Sequence, residues 1–225
     1  MGARLNRGRP RARNTLCRDR WRQDLRRSKN ATLFAMKVLN DKGRGHVDSV
    51  IAAIDEVAAD APKRHCPRGV AMSVSLGFAG SQQSLQQATA NLVKKGFFFA
   101  ASAGNKNKDA EGHSPAGEPL ACTVGAMDED DKMASFSNFG PLVDPQAPGV
   151  DVVSAKSGGG SVSMSGTSMA CPHVAGQAAV LMSSESIKGD LVCDRLKALA
   201  LKGVVTGVPD DTTSDLLFNG NPEAE

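Results

Sequence analysis

The sequence predicts an α/β fold in three layers, a parallel sheet with helices on both faces. Two observations predict it. Short apolar runs alternate with segments whose apolar residues recur at i, i+3, i+4 and i+7, the order expected of strand–helix–strand units. The 225 residues, 40% of them apolar, also suit a single domain with a sizeable core. In chain order, Thr32 to Leu39 reads as a buried strand and Asn40-Asp41-Lys42-Gly43 as a turn. Val47, Val50, Ile51, Ile54 and Ala58 mark a helix from about His46 to Asp60. Val70 to Leu76 is a second strand. Leu85, Ala88 and Leu92 mark a second helix, closed by Gly96. Phe97 to Ala103, Leu120 to Ala126 and Val150 to Ala155 are the third, fourth and fifth strands. Helices from Met169 to Met182 and from about Leu191 to Leu201 complete the order. Functional groups of such sheets gather at the carboxyl ends of strands, and Gly104-Asn105 follows the third strand at such an end.

The net charge of +3 conceals an asymmetry. Residues 1–30 hold eleven Arg or Lys against two Asp, about +9, and the remainder is about −6. That Arg-rich segment reads as a disordered tail or as a stretch foreign to the domain, such as a gene-model artefact. A transit peptide would carry more Ser. A nucleic-acid arm would want aromatic platforms beyond Trp21. The domain itself runs over residues 31–219, with 220–225 as a tail. No apolar run reaches membrane-spanning length, so no membrane partner is expected. The first residues lack the apolar middle of a secretory signal. The cysteines are Cys17, Cys66, Cys122, Cys171 and Cys193, without a C-x-x-C pair, which argues against a zinc cage.

The most informative stretch is S-G-T-S-M-A-C-P-H-V-A-G, Ser165 to Gly176. A turn of small residues delivers Ser168 to the start of an apolar helix. Unpaired backbone N–H groups and the positive end of the helix dipole converge there. Those features help a hydroxyl attack a carbonyl and hold the oxyanion that forms. A serine at that place also suits a helix N-cap.

Taken with L-F-A-M-K-V-L-N-D-K-G-R-G from Leu33, V-S-L-G from Val74, A-A-S-A-G-N from Ala100 and S-F-S-N-F-G from Ser135, the chain resembles the subtilisin-like serine endopeptidases, and most of all their proteinase K-like branch. The resemblance runs from about Ala31 to Asn219. It implies a subtilisin-like fold, hydrolysis of peptide bonds through an acyl-enzyme on Ser168, and Asn105 as the side-chain donor to the oxyanion. It implies that Ser75-Leu76-Gly77 and Ser102-Ala103-Gly104 line the groove for an extended polypeptide substrate, read mainly through its backbone. It assigns Asp144, with the carbonyls of Pro119 and Ala121, to a structural calcium site, although an Asp before Pro also suits a solvated turn. It pairs Cys122 with Cys193 and leaves Cys66 without a partner, while Cys171 reads as a small buried thiol. It implies catalysis without a cofactor, a monomer, and an extracellular location.

The chain departs from the family's pattern in its first thirty residues. The family's triad comes in the order Asp, His, Ser, with the aspartate in D-[ST]-G and the histidine in H-G-T-H. Neither motif occurs here, so the N-terminal strands and the His-bearing helix are expected to be missing. The histidines present are His46, His65, His113 and His173, and His173 matches a non-catalytic family position. A serine hydroxyl without a base is a weak nucleophile. The expectation is therefore a protease by family that is inactive as written. The alternative is a non-catalytic peptide-binding pseudoprotease.

Overall fold

Phe98 and Phe99 are neighbours in sequence, 2% and 1% exposed, yet they belong to opposite hydrophobic cores. Successive strand residues face opposite sides, so that pattern requires a packed layer on each face of the sheet. A computed structural model of the chain describes residue 28, residues 30–156 and residues 158–218. Its helices are α1 (Val47–Asp60), α2 (Gln83–Lys94), α3 (Thr167–Glu185) and α4 (Val192–Leu199). Its strands are β1 (Ala71–Val74), β2 (Phe78–Ala79), β3 (Phe98–Ser102), β4 (His113–Ser114), β5 (Cys122–Met127), β6 (Val143–Pro148), β7 (Val152–Ala155) and β8 (Ser161–Met164).

The main sheet has the order β1-β3-β5-β6, and every pairing in it is parallel. On one face α1 and α2 bury Val50, Ile54, Leu85 and Leu92 against Phe99 and Ala101. On the other, α3 and α4 bury Val174, Ala178 and Leu196 against Phe98, Ala100 and Val124. The predicted α/β sandwich is present. α3 is apolar almost all round because it lies between the sheet and α4, with Met169, Ala170, Cys171, Val174 and Ala178 all buried.

Two expectations need correction, and the sequence reading omits one strand of the main sheet. Residues 32–39 form no strand. β1 is an edge of the main sheet among the described residues, and residues 32–39 do not pair with it. Val38 packs beside α1 and α2, while Phe34 stays 52% exposed under the Arg64 guanidinium, 4.3 Å from the ring centre. The expected fifth strand exists as β7, but it pairs antiparallel with β8 and stands outside the main sheet. The fourth member of the main sheet is β6, which the sequence conceals. Its string V-D-P-Q-A-P carries two prolines, which a strand tolerates only at an edge, where β6 lies. The Arg-rich residues 1–27 and the tail 220–225 lie outside the described residues.

Cys122 and Cys193 form a disulfide with Cα atoms 5.6 Å apart, tying β5 to α4 as the resemblance implied. Cys66 and Cys171 are not disulfide-bonded, and Cys171 is buried. The bridge closes a separation of 71 residues. Replacing both cysteines by Ala is expected to cost about 2–5 kcal/mol. Urea denaturation of the two proteins measures it, and an unchanged midpoint would refute the expectation.

Candidate active site

Register brings the site together. Val74 at the end of β1 is paired with Ala101 of β3, so the chain leaves both strands side by side. Ser75-Leu76-Gly77 and Ser102-Ala103-Gly104 thus emerge at one carboxyl edge of the sheet. The N-terminus of α3 comes over the same edge, where the Gly104 N–H donates to Thr167 Oγ1 at 3.1 Å.

Ser168 is the second residue of α3 and half-buried. Its Oγ donates to the Ser75 carbonyl at 3.2 Å, and Ser75 Oγ donates to the Ser168 carbonyl at 3.0 Å. The second bond has a local cause. Pro172 sits inside α3, four residues beyond Ser168, and has no N–H to offer that carbonyl. The Ser75 hydroxyl supplies the missing donor, so the segment after β1 and the start of α3 are clamped to each other.

Asn105 reaches the same terminus. Its Oδ1 accepts from the Thr167 N–H at 2.9 Å and from Thr167 Oγ1 at 2.8 Å. Gly166 stands at the N-cap without a side chain, so Asn105 does from afar what an N-cap side chain does locally. A backbone N–H can only donate, which fixes Oδ1 on Thr167 and leaves Nδ2 as the amide's donor end. Ser168 and Asn105 are therefore brought together as the sequence predicts. The Asn105 side is exposed to solvent, where a substrate can reach it.

Asn138 was singled out only as part of S-F-S-N-F-G, and the structure gives it a role. It is fully buried. Its Nδ2 donates to the Ala103 carbonyl at 2.9 Å, and its Oδ1 accepts from the N–H groups of Lys106 and Lys108 at 3.0 and 3.1 Å. It thereby holds the loop that presents Asn105. A Cβ on Gly104, at φ +109°, would meet Asn138 Nδ2 at 2.5 Å, so glycine is required there. Asn138→Ala strands three backbone groups and is expected to destabilise the fold by about 2–4 kcal/mol. Chemical denaturation checks this, and a loss under about 0.5 kcal/mol, the scale of a surface change, would overturn it.

His46 and His65 are exposed. His113 Nδ1 is 3.1 Å from the Asp109 carbonyl, and His173 Nδ1 is 2.9 Å from the Met169 carbonyl. Among the described residues, the partner of the Ser168 hydroxyl is a backbone carbonyl and not a ring nitrogen.

The residues assigned to calcium are drawn together by the β5–β6 pairing. Pro119 and Ala121 lead into β5, and Asp144 lies on β6. Asp144 Oδ2 accepts from the Thr123 N–H at 2.9 Å, and Oδ1 faces Lys197 Nζ at 3.2 Å. Burial pushes the Asp144 carboxyl above its usual pKa, against the pull of the Thr123 N–H and the Lys197 charge. Burial works the other way on Lys197, but its bond to Asp194 and the charge of Asp144 hold the ammonium above its usual value. Cys122, Asp144 and Cys193 also cluster with ligand atoms within 4.8 Å, but the two sulfurs are spent on each other. Both carboxylate oxygens thus have a partner, and an ammonium stands beside the place that the resemblance gives to calcium.

Comparison with known proteins agrees with the geometry. The model of the subtilase family matches residues 25–208. The alkaline serine protease ver112 of Corniculantispora psalliotae is 45% identical over 193 residues, 86% of this chain and 50% of that protein. Subtilisin-like protease 1 of Trichophyton rubrum is 47% identical over 193 residues, 86% of this chain and 38% of that protein. The crystal structure of a cold adapted subtilisin-like serine proteinase superposes with a TM-score of 0.78 at 36% identity, covering 86% of this chain and 68% of that one. The chain thus spans half or less of the length of these two curated relatives. The family match over most of the sequence, with relatives 45–47% identical over 86% of the chain, places this chain in the subtilase family of serine peptidases.

Proposed function

We propose that this polypeptide carries the nucleophile, oxyanion and substrate-groove parts of a serine endopeptidase. The observation that carries the reading is the convergence of Ser168 and Asn105 on the start of α3, beside both strand-end segments. An extended polypeptide adds between Ser75–Gly77 and Ser102–Gly104 as a β-strand would, pairing backbone to backbone. The Ser168 hydroxyl then attacks the scissile carbonyl to form an acyl-enzyme. Asn105 Nδ2 and the Ser168 N–H receive the oxyanion. The step needs a base to take the hydroxyl proton and return it to the leaving amine. The Ser168 hydroxyl is bonded to a backbone carbonyl and not to a histidine ring, so this reading takes the base and the carboxylate that orients it from an Asp- and His-bearing segment. Without that segment the chain is inactive.

The cycle uses no cofactor, and the protein acts as a monomer outside the cell. The Cys122–Cys193 disulfide supports an oxidising compartment. No helix among the described residues is long and apolar enough to cross a membrane. A second reading, peptide binding without cleavage, is favoured by the Ser168 hydroxyl's engagement with the Ser75 carbonyl. The deciding experiment joins an Asp- and His-bearing segment, taken from an active relative, to this chain and measures hydrolysis of a chromogenic peptide. If that protein binds the peptide but does not cut it, the second reading stands.

A further inference from the structure

We propose that Lys197 is the resident counter-charge of Asp144, and that this chain stabilises the β5–β6–α4 junction with its own ammonium in place of a divalent cation. Asp144 is largely buried, with 18% of its side chain exposed. A carboxylate withdrawn from water needs partners for both oxygens and for its charge. The Thr123 N–H satisfies one oxygen at 2.9 Å and Lys197 Nζ the other at 3.2 Å. A second carboxylate shares that ammonium. Asp194, one turn earlier on α4, holds the same ammonium at 2.9 Å.

The disulfide fixes the geometry of the group. Thr123 follows Cys122 and Asp194 follows Cys193, so the bridge pins the donor strand and the lysine-bearing helix to each other. Lys197 then reaches Asp144 from the first full turn after Cys193. Lys197 meets the Asp144 charge without a metal, while Asp194, 78% exposed, keeps its own charge in water. A divalent cation at Asp144 would sit next to the ammonium and would find a single carboxylate, one of whose oxygens already accepts a backbone N–H. Calcium takes six to eight oxygens and favours several charged ones. It could enter only by displacing Lys197.

The test uses the purified chain, Lys197→Met, which keeps the stem and removes the charge, and Asp144→Asn. Equilibrium dialysis against radioactive calcium is expected to find no site with sub-millimolar affinity in the parent. The parent's melting temperature should be the same in calcium and in EDTA. Lys197→Met should melt several degrees lower in EDTA and recover on adding millimolar calcium. One sub-millimolar calcium per parent chain, lost in Asp144→Asn, would overturn the proposal. So would a Lys197→Met protein as stable as the parent in EDTA. If Lys197→Met does not fold, dialysis of the parent and of Asp144→Asn decides the matter, and Lys197→Arg, which keeps the charge, should melt close to the parent.

Discussion

The 225-residue chain is expected to leave a fluorophosphonate probe unreacted and to show no turnover of a chromogenic peptide. The same chain joined after Asn30 to the Asp- and His-bearing segment of an active subtilisin-like protease is expected to react with the probe and to cleave the peptide. Removing the histidine or the serine of a subtilisin costs about 10⁶ in kcat, a value measured in this family, and the restored protein should gain activity on that scale. Binding and the oxyanion donors alone leave about 10³–10⁴ over water, too little to register in a routine assay. The gain is expected because the parts proposed for the reaction are already arranged: the clamp between Ser75 and Ser168, the Asn105 amide and both strand-end segments are in place. Ser168→Ala in the restored protein should abolish the gain. Rapid turnover by the original chain, lost on Ser168→Ala, would reveal a base among its own residues and refute the proposed dependence on an added segment. A restored protein that folds but stays silent would refute the assignment of Ser168.

The parts of this molecule that were legible in sequence are those whose signal is local. β3 and β5 are buried on every residue, and their apolar runs announce them. The α3 start carries its motif within a dozen contiguous residues. What stayed hidden depends on partners far along the chain. β6 looks like a loop because Asp144, Pro145 and Pro148 break the apolar run, and only the edge position it takes in the sheet makes them tolerable. The 32–39 segment looks like a strand, but a strand needs a neighbour, and apolar content cannot supply one. The role of Asn138 rests on bonds to residues 30 to 35 positions away. The calcium assignment came from the resemblance. It missed Lys197, which lies 53 positions further on and becomes a partner of Asp144 only once the disulfide brings α4 to β5.

Asn105 should show two separable losses, because its two amide ends do different work. Oδ1 is held by the Thr167 N–H and hydroxyl and caps α3, while Nδ2 is the donor proposed for the oxyanion. Asn105→Asp keeps an acceptor for Thr167 and places negative charge at a helix N-terminus, which the dipole favours. It should therefore retain stability. Asn105→Leu removes the acceptor as well and should cost about 1 kcal/mol, the usual value of a lost cap. In the restored protein both changes should lower kcat by at least about 10²–10³, the size of effect measured for this donor in a subtilisin. KM should change little, since the oxyanion exists only beyond the ground state. Urea denaturation and steady-state kinetics on the same pair of variants separate the two. If Asn105→Asp is as destabilised as Asn105→Leu, Oδ1 is not the cap. If Asn105→Asp keeps its kcat, Nδ2 is not the oxyanion donor. The expected pattern, stability retained in one variant and lost in the other with catalysis lost in both, follows only if a single amide fastens the nucleophile helix with its oxygen and offers its nitrogen to the reaction.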